Sequence, residues 1–353
     1  MKHETLIHKK MDSTFERIEL DHDPLPLCIE IHPTDFCNQG CEYCFGAGKH
    51  RKGIETNQRQ KYMSLTDYRT LFSEMSTYGI NNLSISGGGE PFLSQDIDGI
   101  YDLAFDHNLR VRTVTNGNVL NSSTMERVLH TQEIRFSIDS TDPNTYSKIR
   151  KVNPAMLQKT INNIGKLVEA RNIGGYPLEI GATCIIGYEN AGQIENFADL
   201  VLGHLGIDHV VYKYDAYGII KPDSKDEKHV DTQLKRVKEV FGNKIDSRLD
   251  QGTFSTDQPC VESYFKSVLN PYGELFSCCL GAQPGETNGI KYGDIKAEIK
   301  SGNSNPLTTI WKKTRTARDA MRKKVDCTDC NFTDRETNAK YVVFQNDFKV
   351  KGT

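Results

Sequence analysis

Short β-rich runs alternate with helical patterns from about residue 27 to about residue 241, and this alternation restricts the fold more than any other feature of the chain. The β-rich runs are Leu27 to His32, Leu83 to Ser86, Arg110 to Val114, Ile134 to Ile138, Glu179 to Ile186 and His209 to Lys213. Ser64 and Asp67 form a capping-box pattern ahead of a helix in which Tyr68, Leu71, Phe72, Met75 and Tyr78 recur at helical spacing. Asn153 and Pro154 open another helix, carrying Leu157, Ile161, Ile164 and Val168. Six βα units in succession imply a parallel sheet, which right-handed crossovers can curl into a partial (βα)6 TIM-like barrel. A doubly wound sheet has the same pattern, so both architectures stay open. In such barrels ligands sit at the C-terminal ends of the strands.

The loop after the first strand holds the run Cys37-Asn-Gln-Gly-Cys41-Glu-Tyr-Cys44. A [4Fe-4S] cluster is ordinarily held by four cysteine thiolates, so three of them within eight residues leave one iron open for a reacting ligand. Half of a zinc site is the alternative; it needs a fourth local ligand, for which His50 is the nearby candidate. The spacing Cys-x3-Cys-x2-Cys, with Tyr43 before the last cysteine, resembles the radical S-adenosylmethionine (radical SAM) superfamily. The resemblance implies that the open iron chelates SAM. An electron from the cluster then cleaves the sulfonium, and the 5'-deoxyadenosyl radical removes a hydrogen atom from an unactivated C–H bond. It also implies a flavodoxin- or ferredoxin-type electron donor. The cofactor carries the hard chemistry and the protein orients it.

Motifs after the next strands are similar to those of the same family. Ser86-Gly87-Gly88-Gly89-Glu90-Pro91 follows strand two. The turn resembles the family's GGE motif, which implies Gly88, Gly89 and Glu90 at the SAM amino group; glycines let backbone approach a ligand, and an acid can pair with an ammonium. Asn116 ends strand three; Ser137 and Asp139 lie on strand four, with Arg150 downstream. These resemble the positions that hold the SAM ribose and carboxylate, with Arg150 as carboxylate partner. Turn chemistry and a surface cation are the plainer alternatives for Asn116 and Arg150. Ile186, before Gly187, resembles the apolar residue that packs on adenine. If it faces the barrel interior, period-two alternation puts Cys184 on the same face, where its thiol could return a hydrogen atom to a substrate radical. The alternative for Cys184 is a small buried hydrophobe. On strand one, Cys28, Glu30 and His32 share one face, and Ile29 and Ile31 the other.

A charged connector, Lys221-Pro-Asp-Ser-Lys-Asp-Glu-Lys228, precedes a second cysteine set: Cys260, Cys278, Cys279, Cys327 and Cys330. Twelve residues separate Cys260 from Gly273, and four separate Gly273 from Cys278. That layout resembles the SPASM/twitch extensions of radical SAM enzymes. It implies an auxiliary [4Fe-4S] cluster on Cys260, Cys278, Cys327 and Cys330, with Cys279 as the alternative to Cys278. A four-cysteine zinc site has the same spacing. No cysteine follows Cys330, so the layout is that of the shorter twitch type. It departs from the anaerobic sulfatase-maturing enzymes and from the molybdenum-cofactor GTP cyclases. It is nearer to a single-cluster dehydrogenase acting on an aminocyclitol. The expected organisation is an N-terminal extension (1–26), a radical SAM partial barrel (27–241), a small Cys-rich twitch/SPASM-like domain (242–335) and a tail (336–353).

Composition bounds the partners. A net charge of -3 favours no polyanion, and the basic run Lys312, Lys313, Arg315, Arg318, Arg322, Lys323 and Lys324 is expected to be a solvated helix face rather than a nucleic-acid patch. The polar N-terminus and the lack of a long apolar run predict no membrane association and a cytoplasmic protein, in which ten cysteines point to metal rather than disulfides. The expected reaction is oxidation or epimerisation of a small polar molecule: a sugar, an aminocyclitol or a nucleoside. A ribosomally made peptide is the alternative substrate. About 26 residues precede strand one, few for a fused leader-binding domain. A non-catalytic zinc-binding interaction protein is the alternative of another class.

Overall fold

A computed structural model describes residues 13–20, 22–44, 61–215, 218–249, 259–279, 281–282, 289–323 and 337–345. Seven strands run parallel in chain order: β1 (Cys28–Ile31), β2 (Asn82–Ile85), β3 (Arg110–Thr115), β4 (Glu133–Ser137), β5 (Glu179–Ile185), β6 (His209–Lys213) and β7 (Ile245–Arg248). Between them lie α1 (Leu65–Thr77), α2 (Ile97–Asp106), α3 (Ser122–Leu129), α4 (Pro143–Arg150), α5 (Ala155–Gly174), α6 (Ile194–Ala198, continuing as π-helix to His204) and α7 (Ser224–Phe241). The six expected strands are all present. No helix among the described residues is long and apolar enough to cross a membrane.

Strand parity decides between the two open architectures. Ile31, Ile85, Val111, Phe136, Ala182 and Tyr212 share one face and pack into the core with helix residues such as Phe72, Ile100 and Leu167. The opposite parity carries Glu30, Arg112, Glu133, Arg135, His209 and Lys213. A doubly wound sheet is covered by helices on both faces and needs apolar residues on both. Here one face is continuously apolar and the other mixes charged residues with a few apolar ones, Ile185, Val211 and Val268, as in a partial barrel with a mainly polar inner face.

Local signals account for the helix starts. Ser64 accepts from the Asp67 N–H while Asp67 receives the Ser64 N–H, the expected capping box. Tyr78, expected on the buried stripe, instead ends α1 and is exposed. Helix α4, not foreseen from periodicity, opens at Asp142, whose side chain accepts from the Thr145 N–H, with Pro143 in the first turn.

The sheet does not stop at the boundary expected after residue 241. Strand β7 pairs with β6, and β8 (Lys266–Leu269) pairs in parallel with β1 on the other side. Strands β9 (Glu274–Phe276) and β10 (Lys291–Asp294) extend that edge antiparallel, in the order β10-β9-β8-β1-β2-β3-β4-β5-β6-β7. The segment after α7 therefore grows out of the barrel sheet. It continues through α8 (Glu262–Phe265), α9 (Ile295–Lys300), α10 (Pro306–Lys313) and α11 (Arg315–Lys323). Glu74 on α1 accepts the Leu307 and Thr308 N–H groups at 2.8 Å each, capping α10 from another helix.

The expected solvated basic face is corrected at one residue. Arg318 is fully buried, 3.7 Å above the Trp311 ring, close to the Tyr264 and Tyr292 rings, and paired with Asp23 at 2.8 Å. Its planar cation stacks on aromatic faces where an ammonium would not fit as well. Removing one partner of a buried pair strands the other, so Arg318→Ala is expected to lower the unfolding free energy by about 3–5 kcal/mol. Urea unfolding followed by circular dichroism checks this, with Lys313→Ala, on the exposed side, as the variant expected to stay within about 0.5 kcal/mol of the native value.

Candidate active site

The cysteine loop is stitched to the glycine turn by backbone. Gly89 donates its N–H to the Thr34 carbonyl at 3.1 Å, and Glu90 donates to the Phe36 carbonyl at 2.7 Å. A Cβ at Gly89 would stand 2.3 Å from the Phe36 carbonyl oxygen, so only glycine permits this approach. On its far side the loop is tied to the end of α4: Gly40 donates to the Arg150 carbonyl at 2.9 Å and Glu42 to that of Ile149 at 3.1 Å. The loop thus hangs between the ends of β2 and α4.

Side chains complete the frame. Asn116, after β3, donates through Nδ2 to Asn38 at 2.7 Å and lies 4.0 Å from the Cys37 sulfur. The Gln39 N–H points at the same sulfur at 3.4 Å. Burial pushes the Cys37 thiol up to about 12. Burial also raises Cys41, opposed by the Arg150 guanidinium, whose Nη1 lies 3.6 Å from its sulfur. Thiolates here need a positive partner.

Asp139 anchors the other half. Its Oδ2 meets Arg150 Nε at 2.6 Å and accepts the Tyr43 hydroxyl at 2.6 Å, while Oδ1 accepts the Ile185 N–H at 2.9 Å. The Arg150 guanidinium lies over the Tyr43 ring at 5.6 Å. Despite burial, Asp139 holds the Arg150 cation well above its ordinary range. Arg150 is therefore no surface cation. Burial raises Glu90, outweighing the Asn116 N–H at 2.7 Å, the Thr115 hydroxyl at 2.6 Å and the Phe92 N–H at 3.1 Å that it accepts. Three donors leave this carboxylate one free direction for an ammonium. Gly88 is buried in the same turn, and Ser137 ends β4 in register with Thr183.

The strand-five expectations are corrected. Cys184 and Ile186 lie in the hydrophobic core with Ile180 and Ala182. Cys184 is in register with Tyr212, whose hydroxyl donates to the Ile194 carbonyl of α6, so both side chains face the helices. Its thiol, 3.6 Å from the Asp139 carbonyl, is on the wrong side of the sheet to reach a substrate. The inner-face residue of this stretch is Ile185, in register with Lys213. Ile186 faces the helices, and alternation carries Cys184 with it to that side.

Three contributors, Gln39, Lys213 and Arg135, were not singled out in the sequence. Gln39 donates to Asn118 at 2.8 Å and to the Tyr146 hydroxyl at 3.0 Å, while its oxygen accepts from Arg150 at 3.3 Å. The signal was a polar residue between two ligand cysteines and a second asparagine after Asn116. Lys213 and Arg135 likewise carry nothing but their strand parity to mark them.

Among the described residues no three His, Cys, Asp or Glu side chains converge on a point that could hold one metal ion. Three thiolates that each bind a different iron of a cubane have no need to converge. A cluster fits the donor set: three cysteines in one loop, two of them, Cys37 and Cys41, raised by burial, with a buried guanidinium against the Cys41 sulfur. A carboxylate ligand fits the buried Arg150 Nη2, which has no hydrogen-bond acceptor. In the second set, Cys327 and Cys330 lie outside the described residues. The Cys278 sulfur lies beside Gly289, 3.1 Å from where a Cβ on that residue would stand.

Residues 31–201 match the family model described as the radical SAM superfamily. The probable GTP 3',8-cyclase of Pyrobaculum aerophilum is 30% identical over 154 residues, 43% of this chain and 46% of that protein. The S-adenosylmethionine-dependent nucleotide dehydratase of Selenomonas ruminantium is 23% identical over 168 residues, 47% of this chain and 58% of that protein. The chain thus spans about half the length of the curated relatives it matches. Among solved structures, Streptococcus suis SuiB bound to its precursor peptide SuiA superposes with a TM-score of 0.60 at 16% identity, over 88% of this chain and 71% of SuiB. That likeness is one of fold. The cofactors of the superfamily are a [4Fe-4S] cluster and SAM.

The close approach at Gly89 makes a test of the frame. Gly89→Ala is expected to push the Phe36–Cys37 backbone away and to lower the iron content of the reconstituted protein, measured by iron and sulfide analysis. Gly99→Ala, whose Cβ would meet only the flexible end of Leu65, is expected to keep the iron of the native chain.

Proposed function

We propose, for a chain whose residues 31–201 are a radical SAM domain, that it removes a hydrogen atom from a small polar substrate and leads it to oxidation or epimerisation. The cluster and SAM, when bound, supply the 5'-deoxyadenosyl radical. The chain's residues orient and shield them. Cys37, Cys41 and Cys44 would ligate the cluster; Glu90 would take the SAM ammonium and Arg150 its carboxylate. Tyr43, Gly88, Gly89, Asn116, Ser137 and Asp139 would line the same site, with Ile185 in the apolar role expected of Ile186.

The observation that carries this reading is the inner face of the sheet. Glu30, His32, Arg112, Glu133, Arg135, His209 and Lys213 make it a hydrogen-bonding and charged surface, suited to a sugar, an aminocyclitol or a nucleoside. Curated relatives named for a GTP cyclase and a nucleotide dehydratase favour the nucleoside-like member of that set. A peptide substrate is the second reading, favoured by the fold shared with SuiB, which has been seen with its precursor peptide. An auxiliary [4Fe-4S] cluster on Cys260, Cys278, Cys327 and Cys330 would accept the substrate's electron in an oxidation. For epimerisation the Cys279 thiol, the member of the Cys278–Cys279 pair that this ligand set leaves over, replaces Cys184 as the hydrogen donor, and the thiyl radical left behind would be reduced by an electron from the reduced auxiliary cluster and a proton from solvent.

Turnover under anaerobic conditions with reductant, SAM and a metabolite extract in heavy water separates the outcomes by mass spectrometry. Loss of two hydrogens is expected for oxidation, and gain of one deuterium with no other change for epimerisation; a modified peptide would overturn the small-molecule reading. Cys41→Ala is expected to abolish 5'-deoxyadenosine formation. Formation at the native rate would remove the site assignment, and zinc in place of iron in the native protein would leave the zinc-binding interaction protein.

A further inference from the structure

Inner-face charges are unequally paired. Glu133 is shared by Arg112 at 3.4 Å, by Arg135 and by His209 at 3.4 Å. His209 reaches it across Gly181, where a Cβ would stand 2.4 Å from the imidazole. Its other nitrogen meets Glu179 at 3.1 Å. Glu30 pairs with His32 at 3.1 Å and Lys266 at 3.3 Å, and Asp246 with Arg248 at 2.6 Å. Every carboxylate of this face is thus engaged by at least one cation.

Lys213 is left over. Among the described residues its ammonium has no hydrogen-bond or ion-pair partner, and the Arg135 Nε is buried without an acceptor. Lys213 ends β6, in register with Ile185 of β5 and Arg248 of β7, at the C-terminal end of the sheet where barrel ligands bind. Ile185 donates its N–H to Asp139, so Lys213 stands one strand from the residues proposed to hold SAM. Burial first, then the fields of Arg135, Arg248 and Lys266, press its pKa down to about 8, with the Cys279 thiol as the opposing influence. Arg135, Arg248 and Lys266 each have a carboxylate partner, which leaves the Lys213 ammonium, among the described residues, as the charge an incoming anion would offset.

We propose that Lys213, with Arg248 in register beside it on β7, is an anion subsite of the barrel that takes a phosphate ester on the substrate. A phosphate carries nearly two charges and three acceptor oxygens, so one group can engage Lys213 and the neighbouring Arg248 at once. This deepens the function proposed above and rests on it. The phosphate would act as a remote handle, holding the reacting carbon on the SAM side of the sheet while making no contact with the abstracted hydrogen.

The test uses the reconstituted full chain with inorganic pyrophosphate, inorganic phosphate and acetate as probes in isothermal titration calorimetry. The native protein is expected to bind pyrophosphate more tightly than phosphate, and acetate not measurably. Lys213→Met is expected to weaken pyrophosphate at least about tenfold, as for a lost charge-assisted hydrogen bond, and Lys213→Arg to restore most of it. Without anion, the melting temperature of Lys213→Met is expected to stay level or rise, since no partner is lost. A fall in melting temperature with unchanged pyrophosphate binding would make Lys213 structural. A loss of iron with unchanged binding would make it a counter-ion to the thiol at Cys279; either result overturns the proposal. So would displacement of pyrophosphate by SAM, which would make the site that of the cofactor. A native protein that forms 5'-deoxyadenosine yet binds pyrophosphate no better than acetate defeats the subsite alone. One that forms no 5'-deoxyadenosine defeats the proposed function.

Discussion

The Asp139 carboxylate gathers more of this site than any other group. It takes the Arg150 guanidinium and the Tyr43 hydroxyl on one oxygen and the Ile185 N–H on the other. One side chain thereby fastens the end of β4 to β5, to the last turn of α4 and to the cysteine loop. A buried ion pair is a poor source of net stability, because desolvating two charges offsets most of their attraction. Its value is in specificity: with three donors to satisfy, Asp139 admits few alternative positions for the loop that carries the cysteines. Arg150 carries that constraint onward, facing the Cys41 sulfur and the Gln39 amide oxygen.

The opposite side of the same loop is held mainly by backbone, with the Asn116 amide donating to Asn38. Where Gly89 passes the Phe36 carbonyl, the approach excludes any side chain, and Glu90 then turns inward to receive donors from Thr115 and Asn116. The cysteine loop is thus gripped by an electrostatic contact on the α4 side and a steric one on the β2 side. Neither grip depends on a metal. The charged inner face lies one strand along, at Lys213, so a cofactor held by Asp139 and Arg150 and a substrate held by the cationic group would be neighbours across the sheet.

Much of this was legible in the residue order. Strand positions followed from β-rich runs, and the capping box at Ser64 predicted the start of α1 to the residue. The cysteine spacing and the glycine turn placed a site at the C-terminal ends of the first two strands, where both are found. Other features left weaker traces. Helix α4 is short and announced only by Asp142 and Pro143, so the burial of Arg150 went unforeseen. A one-residue choice of parity moved Cys184 from the cavity to the core, because side chains alternate with a period of two. Arg318 reads as one more base in a basic run until Trp311, Tyr264 and Tyr292 are found around it.

By itself the sequence determined what short-range pattern can encode: alternating strands and helices, the caps, a three-thiolate loop and its glycine partner. These are set by spacing along the chain, and spacing survives without coordinates. Only the tertiary structure decided which face of each strand is inside, that β7 and β8 continue the barrel sheet, and which charges meet across it. Those depend on contacts between residues far apart in the chain, Asp139 with Ile185 or Lys213 with Arg248. Charge pairing is a property of distance in space, so an unpaired lysine becomes visible only once every carboxylate near it has been assigned.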